Sequence, residues 1–217
     1  MKSALSLKTK RSLVLGLTVF FLVLWMATVT GGVIIRAVAE SMIWNGTTAY
    51  SYAGGDGSAE NPYQIANGAQ LAKLVQETDT TGKYYVLTAD ILLNDVRTDE
   101  WKENNPRIWF GKWNSDGAFR GCLDGQGYTV SGIYIPYEPD PSNGGRSGLF
   151  AVIGSGAVIR SVRVAESYIS AGQYSGAIAG FSEGIYGSIQ PQISNCSVDK
   201  TVELNGRSVG GILGGGP

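Results

Sequence analysis

Apolar positions fall into three regimes along this chain. Over residues 13–35 they run almost unbroken, long enough for a helix to span a bilayer. Around Leu71, Leu74 and Val75 they recur at i, i+3 and i+4, which predicts one amphipathic helix opening at Asn67 or Gly68 and ending between Thr78 and Gly82. After Gly82 the pattern changes to short β-type runs at residues 84–87, 91–93 and 119–123 and onward to the C-terminus. They are interrupted by a polar insertion at 94–117.

Within the β-type region the pattern repeats. Ile159, Val162 and Val164 stand at offsets 0, +3 and +5, and Ile193, Cys196 and Val198 reproduce them 34 residues later. Val130, Ile133 and Ile135 show the same offsets and are read as the first member of the series, with Leu87, Ile91 and Leu93 as a looser version. Before the middle apolar position stands Gly132, Ser161 or Asn195, each tolerant of a sharp corner. A second ladder follows in Ser147-Gly148-Leu149-Phe150, Ser175-Gly176-Ala177-Ile178 and Val209-Gly210-Gly211-Ile212. Strands this short cannot bury their apolar side alone, whereas stacking successive periods gives a continuous core. The expected fold is all-β: a right-handed parallel β-helix-like solenoid, one coil per period. The helix around Leu71 caps its N-terminal end and covers strand edges there. An antiparallel sandwich is the competing architecture, but it does not require the same offsets and corner residue to recur.

The N-terminal segment defines topology. Lys2, Lys8, Lys10 and Arg11 precede the apolar run, and Ala37-Val38-Ala39 before Glu40 forms a small-x-small site of the kind signal peptidase cuts. Residues 1–39 are read as a signal peptide cleaved after Ala39 or as an uncleaved signal anchor. Either way the positive charges stay in the cytoplasm and the chain after Glu40 is exported, secreted or held at the cell surface. Residues 40–66 form a turn-rich lead-in, and 67–217 the repeat domain. The chain stops at Gly214-Gly215-Gly216-Pro217 soon after a repeat begins, which predicts a fragment of a longer protein.

Composition narrows the chemistry. Setting aside the five basic residues before Glu40 leaves 12 basic against 18 acidic residues, so no nucleic-acid partner is expected, and membrane contact only through the N-terminal segment. The chain has no histidine, which removes the Ser-His-Asp, Cys-His and HExxH arrangements. Cys122 and Cys196 sit inside apolar strand patterns and are expected as small core residues. Asp90, Asp116 and Asp124 lie near turns; a pair of them as acid and base for glycoside cleavage is the catalytic reading, and turn formation the simpler one. Asp56, Glu60 and Asn61 lack the spacing of a calcium loop and are also read as turn residues. Neither metal nor cofactor is expected.

Several segments, taken in order, resemble the GLUG-motif repeat proteins of bacterial surfaces. They are Gly55-Asp56-Gly57, Asn61-Pro62-Tyr63-Gln64-Ile65, Gln70-Leu71-Ala72-Lys73-Leu74, Leu87-Thr88-Ala89-Asp90-Ile91, and the run from Phe119 through Asp124-Gly125-Gln126-Gly127 to Val130. Gly148-Leu149-Phe150, Asn195-Cys196-Ser197-Val198 and Val209-Gly210-Gly211-Ile212-Leu213-Gly214 complete the match. The resemblance implies β-helix-like repeats in large secreted or wall-attached proteins, including regions beside the peptidase of some IgA-cleaving metallopeptidases. It does not imply peptidase activity. Ala151 departs from it, standing where the first repeat usually has glycine, and the 94–117 insertion is long.

The expected function is therefore a non-catalytic exported surface module, structural or adhesive. A carbohydrate-active β-helix fragment and a recognition arm of a larger secreted peptidase are the alternatives. Trp101, Trp109, Phe110 and Trp113 in the insertion are the candidate ligand contacts, for an unknown glycan or extracellular protein, because loops carry function and aromatic faces stack on sugars. Packing over the first coils is the competing role for the same tryptophans.

Overall fold

Strands of two to four residues cannot hold together singly, and the computed structural model shows how they are combined. It describes residues 42–109, 117–137, 145–184 and 189–216. The chain divides into two units, Met1–Ser41 and Met42–Pro217. The expected export helix, Ala39, Phe110, Trp113 and Asp116 lie outside the described residues. No helix among those residues is long and apolar enough to cross a membrane.

Three stacked coils form the body. The first holds β4 (Cys122–Asp124), β5 (Thr129–Ser131), β6 (Tyr134–Ile135), β7 (Arg146–Ser147) and β8 (Phe150–Ile153). The second holds β9 (Val158–Arg160), β10 (Arg163–Ala165), β11 (Tyr168–Ser170), β12 (Tyr174–Gly176) and β13 (Ala179–Ser182). The third holds β14 (Gln192–Ser194), β15 (Ser197–Val198), β16 (Glu203–Asn205), β17 (Ser208–Gly210) and β18 (Leu213–Gly215). Each strand pairs in parallel with its counterpart one coil away, giving five sheets that run along the stack. This is the expected solenoid. A sandwich is ruled out by the pairing itself, since hairpin-linked strands would run antiparallel. Before the first coil stand β1 (Tyr63–Ile65), β2 (Tyr84–Leu87) and β3 (Ile91–Leu92), which extend two of these sheets.

The inward ladders are continuous. Tyr85, Leu123, Ile159 and Ile193 form one, Ile91, Val130, Val164 and Val198 a second, and Ile135, Ile169 and Leu204 a third. The expected series holds for the second and third coils, where Ile193 lies on Ile159 and Val198 on Val164. It fails in the first. Val130 stacks on Val164, not on Ile159, and Ile133 stands beside Ser167, whose Oγ accepts its N–H at 3.1 Å. The cause is a change of spacing: Leu123 and Val130 are seven residues apart, Ile159 and Val164 five, and the turn at Gly125-Gln126-Gly127 takes up the difference. Arg163 and Ser197 point outward as expected, while Tyr134 is half-buried.

Corners follow the backbone chemistry. Ser161 (φ 55°) and Asn195 (φ 51°) occupy the left-handed region at one stacked corner, joined by Ser161 N–H donating to the Ser194 carbonyl at 3.0 Å. Gly132 (φ 77°) belongs to the next corner, where its N–H donates to the carbonyl of Glu166 (φ 43°). The second ladder turns at Gly148, Gly176 and Gly210. A Cβ at Gly176 would fall 2.2 Å from the Ala179 carbonyl oxygen, and one at Gly210 1.9 Å from that of Leu213, so only glycine fits.

The N-terminal end is closed. Helix α1 (Gly68–Gln76) begins at Asn67, whose side chain accepts from Gln70 N–H at 3.0 Å, while Gln70 Oε1 accepts from Ala66 N–H at 2.7 Å. This reciprocal cap fixes the helix start. Leu71, Ala72 and Leu74 are fully buried against the first strands, so the helix does cap the stack. At the other end, no strand among the described residues pairs with the outer edges of β14 to β18, and Ile193, Val198, Leu204 and Ile212 are only half-buried.

The cysteines correct one expectation. Cys196 is half-buried against the core, but Cys122 stands in an outward row between Tyr84 and Val158, flanking the inward Leu123. Both are free thiols, and burial pushes both up from the usual thiol range.

Candidate functional site

Insertion 94–117 is held by a buried side chain that sequence reasoning missed. Asn94, 3% exposed, donates from Nδ2 to the carbonyls of Arg107 (2.9 Å) and Gly132 (2.8 Å) and accepts from Arg107 N–H at 2.7 Å. Three hydrogen bonds from one amide close the neck of the insertion and fasten it to the corner at Gly132. The clue in the sequence was a polar residue directly after the Ile91–Leu93 apolar run.

The tryptophans then separate. Trp109 is 1% exposed: its Nε1–H donates to the Leu149 carbonyl at 3.0 Å, and its ring meets Trp44 edge-on at 5.3 Å. The candidate role of Trp109 as a ligand contact is thereby corrected. The side chain is core, because its one polar atom is satisfied by the solenoid backbone and its ring fills space beneath the insertion. Trp101, 8% exposed, lies at the start of a 3-10 turn (Trp101–Glu103) and packs edge-on against Tyr134 at 6.0 Å. It too is largely covered. Phe110 and Trp113 fall outside the described residues.

Around Trp101 the structure assembles a strip that crosses all three coils. Tyr134 on β6 stacks on Tyr168 on β11 with centroids 5.7 Å apart and planes 30° apart. Both are partly exposed on the outer face, because their strand neighbours Ile135 and Ile169 point inward. Lys102 follows Trp101 along the turn. Its ammonium sits 5.6 Å from the Tyr168 ring centroid and 2.5 Å from the Glu203 carboxylate on β16. The strip therefore offers aromatic edges, an ammonium and a carboxylate, a set suited to stacking and hydrogen bonding with a sugar or a polar peptide.

The carboxylates do structural work. Asp124 accepts from Gln126 N–H at 2.9 Å and pairs with Arg160 Nε at 2.9 Å, linking the first coil to the second. Asp199 accepts from Thr201 N–H and pairs with Arg163, linking the second to the third. The Thr201 N–H, and then Arg163, hold the Asp199 carboxyl below the usual range. Asp90 accepts from Thr129 N–H at 2.8 Å. Asp56 accepts from Ser58 N–H, and the Asn61 carbonyl receives the N–H groups of Asp56 and Gly57, so this lead-in cluster is a closed turn. Among the described residues no three His, Cys, Asp or Glu side chains converge as metal ligands would.

A second polar cluster lies at the capped end. Glu77, after α1, accepts from Tyr85 Oη at 2.5 Å and lies 3.9 Å from Lys83 Nζ. Tyr52 stacks on Tyr63 at 4.6 Å beside it, with its hydroxyl buried near the Glu77 carboxylate. Burial first, and then the Glu77 charge, push the Tyr52 phenol well above its ordinary value; burial and the hydrogen bond to Glu77 do the same for Tyr85. The adjoining cavity, lined by Leu74, Glu77, Thr80, Phe119 and Phe150 among others, holds about 10 Å³, space for one water at most.

The chain is similar to two much longer proteins. Halomucin of Haloquadratum walsbyi is 29% identical over 171 residues, 78% of this chain but 2% of that protein. A protein named as a Gly-rich membrane protein, of Evansella cellulosilytica, is 29% identical over 145 residues, 65% of this chain and 16% of the relative. The chain thus spans a small fraction of the length of both. No family model and no solved structure matches it.

Proposed function

We propose that this chain is a non-catalytic module of the cell surface, exported by its N-terminal segment. Its solenoid would serve as scaffold and the outer strip at Lys102, Tyr134 and Tyr168, backed by the covered Trp101, as its ligand contact. The observation that carries the reading is the strip itself. One insertion is fastened across three coils, and it leaves two stacked tyrosines partly open beside an ion pair. The described carboxylates favour binding over glycoside cleavage, since Asp90 and Asp124 are each engaged by backbone amides at corners. Relatives named as a mucin and a Gly-rich membrane protein support a place at the surface, as does the resemblance to GLUG-motif repeat proteins.

The ligand class that fits is a neutral glycan or an extracellular protein. The exported part carries more acid than base, which disfavours polyanions. The test is a glycan and matrix-protein screen with wild type and a Tyr134→Ala, Tyr168→Ala variant, folding being checked by circular dichroism. Binding by wild type that is lost in the folded variant is the expected result. Equal binding by both would remove the strip as the contact.

A further inference from the structure

Two Asn-x-Ser/Thr tripeptides stand in the chain after Glu40, Asn45-Gly46-Thr47 and Asn195-Cys196-Ser197. On the surface of a secreted protein this pattern is an acceptor for a glycan on the asparagine amide. A pattern so short also arises by chance, and the local geometry separates the two. Asn45 and Thr47 are exposed, and their tripeptide belongs to no strand or helix.

At Asn45 the tripeptide closes on itself. Its Oδ1 accepts from the Thr47 N–H at 3.0 Å and from the Thr47 hydroxyl at 2.6 Å. Gly46, at φ 89°, supplies the left-handed bend between them. Beneath the turn, the buried Trp44 donates from Nε1 to the Thr47 carbonyl at 2.7 Å, so the loop is held on a fixed ring. Two donors on Oδ1 leave Nδ2 as the remaining polar atom of an exposed side chain. They also draw charge onto the oxygen and make the Nδ2 protons easier to remove, which an amide nitrogen needs before it can act as a nucleophile. At Asn195 the same groups belong to the stack. Asn195 occupies a left-handed corner, and Ser197 lies on β15 with its N–H donating to the Val162 carbonyl at 3.0 Å. Cys196 between them is half-buried against the core. The N–H that closes the turn at Asn45 is taken by the neighbouring coil here, so a transferase could reach this tripeptide only by peeling β15 from β10.

We propose that Asn45 is a glycan attachment site and that Asn195 is not; the proposal rests on the reading of the chain as exported. In the transfer, Asn45 Nδ2 forms a bond to the anomeric carbon of a sugar carried on a polyprenyl diphosphate. The bond from that carbon to the diphosphate oxygen breaks, its electron pair leaves with the diphosphate, and the Nδ2 proton passes to a base of the transferase. Gly46 lies against the Arg107 side chain, and the Arg107 amide is the one that Asn94 holds. The glycan therefore emerges beside the neck of the insertion.

The experiment is peptide mass spectrometry of the full chain isolated from its source cells, as wild type and with Asn45→Gln, Thr47→Ala, Thr47→Ser or Asn195→Gln. Wild type is expected to carry a sugar mass on the peptide holding Asn45 and none on the peptide holding Asn195. Asn45→Gln and Thr47→Ala should lose the sugar. Thr47→Ser, which returns a hydroxyl to the turn, should keep it, and Asn195→Gln should leave it unchanged. Circular dichroism checks that each variant folds. A bare Asn45 in wild type overturns the inference. So does a sugar on Asn195, or occupancy of Asn45 that survives Thr47→Ala. Protease digestion of intact cells reads export separately. A bare Asn45 on a digestible chain removes the glycan alone, whereas a bare Asn45 on a protected chain removes the exported reading with it.

Discussion

The first and last described strands of the solenoid carry the same kind of ladder and are covered differently. At the N-terminal end, Leu71, Ala72 and Leu74 of α1 lie on the first strands at 0–1% exposure, and Trp44 closes the side. In the third coil the equivalent ladder positions Ile193, Val198 and Leu204 are half-buried, and among the described residues their strands pair on one side only. The contrast shows that a stacked fold does not distribute its stability evenly. Each coil draws its burial from both neighbours, so a coil with one neighbour holds about half the contacts of an interior one.

The largest consequence should appear on placing one charge at each end. Leu74→Asp puts an unpaired carboxylate in the capped core and should cost about 4 kcal/mol or more. Val209→Asp in the third coil, where the side chain is 50% exposed, should cost about 1 kcal/mol or less. Equal melting temperatures for the two variants would mean that the helix is not a cap.

Next in size is Trp109→Ala, expected to cost about 3 kcal/mol through the cavity beneath the insertion and the lost hydrogen bond to Leu149. Trp101→Ala, at the exposed side of the same insertion, should cost about half as much. Chemical denaturation of both variants measures the difference, and a Trp109→Ala variant as stable as wild type would return Trp109 to the list of ligand contacts. Asn94→Ala should fall between them at about 2 kcal/mol, since it strands the buried Gly132 carbonyl and leaves the Arg107 amide without its partner.

A pH titration sharpens the comparison further, because the buried phenols lie at the capped end. The folded values of Tyr52 and Tyr85 are raised above 10.0. Their contribution is therefore fully present below about pH 10 and is lost as pH rises beyond it, when the unfolded chain releases protons that the folded chain retains. The melting temperature should fall above pH 10, and the fall should be shallower in Tyr85→Phe. A fall of the same steepness in that variant would assign the alkaline loss to other groups. The smallest expected effect is Arg160→Ala. It breaks an exposed pair with Asp124 and should change stability by about 0.5 kcal/mol, readable as a slight shift of the urea midpoint.

Much of the fold was legible because its causes are local or periodic. Asn67 and Gln70 specify a helix start through their own backbone hydrogen bonds. The left-handed corners at Ser161 and Asn195 need residues that tolerate that conformation, and the ladder from Ile159 to Ile193 repeats at constant spacing. The site was legible only in outline. A polar insertion rich in tryptophan marked the region, but Tyr134 and Tyr168 looked like ordinary strand residues, 34 positions apart, until parallel pairing placed one ring on the other.

What the sequence by itself determined was the kind of structure: short strands with inward alternation, sharp corners, a capping helix and glycines where a Cβ has no room. What only the tertiary structure decided was register and partnership. A two-residue alternation is equally satisfied by pairing Val130 with Ile159 or with Val164, and the choice falls to hydrogen bonding between coils, with the turn at Gly125 to Gly127 absorbing the extra length. The same holds for Trp109, whose composition suited a surface contact equally well. Only the neck closed by Asn94 and the Leu149 carbonyl above it turned the ring inward.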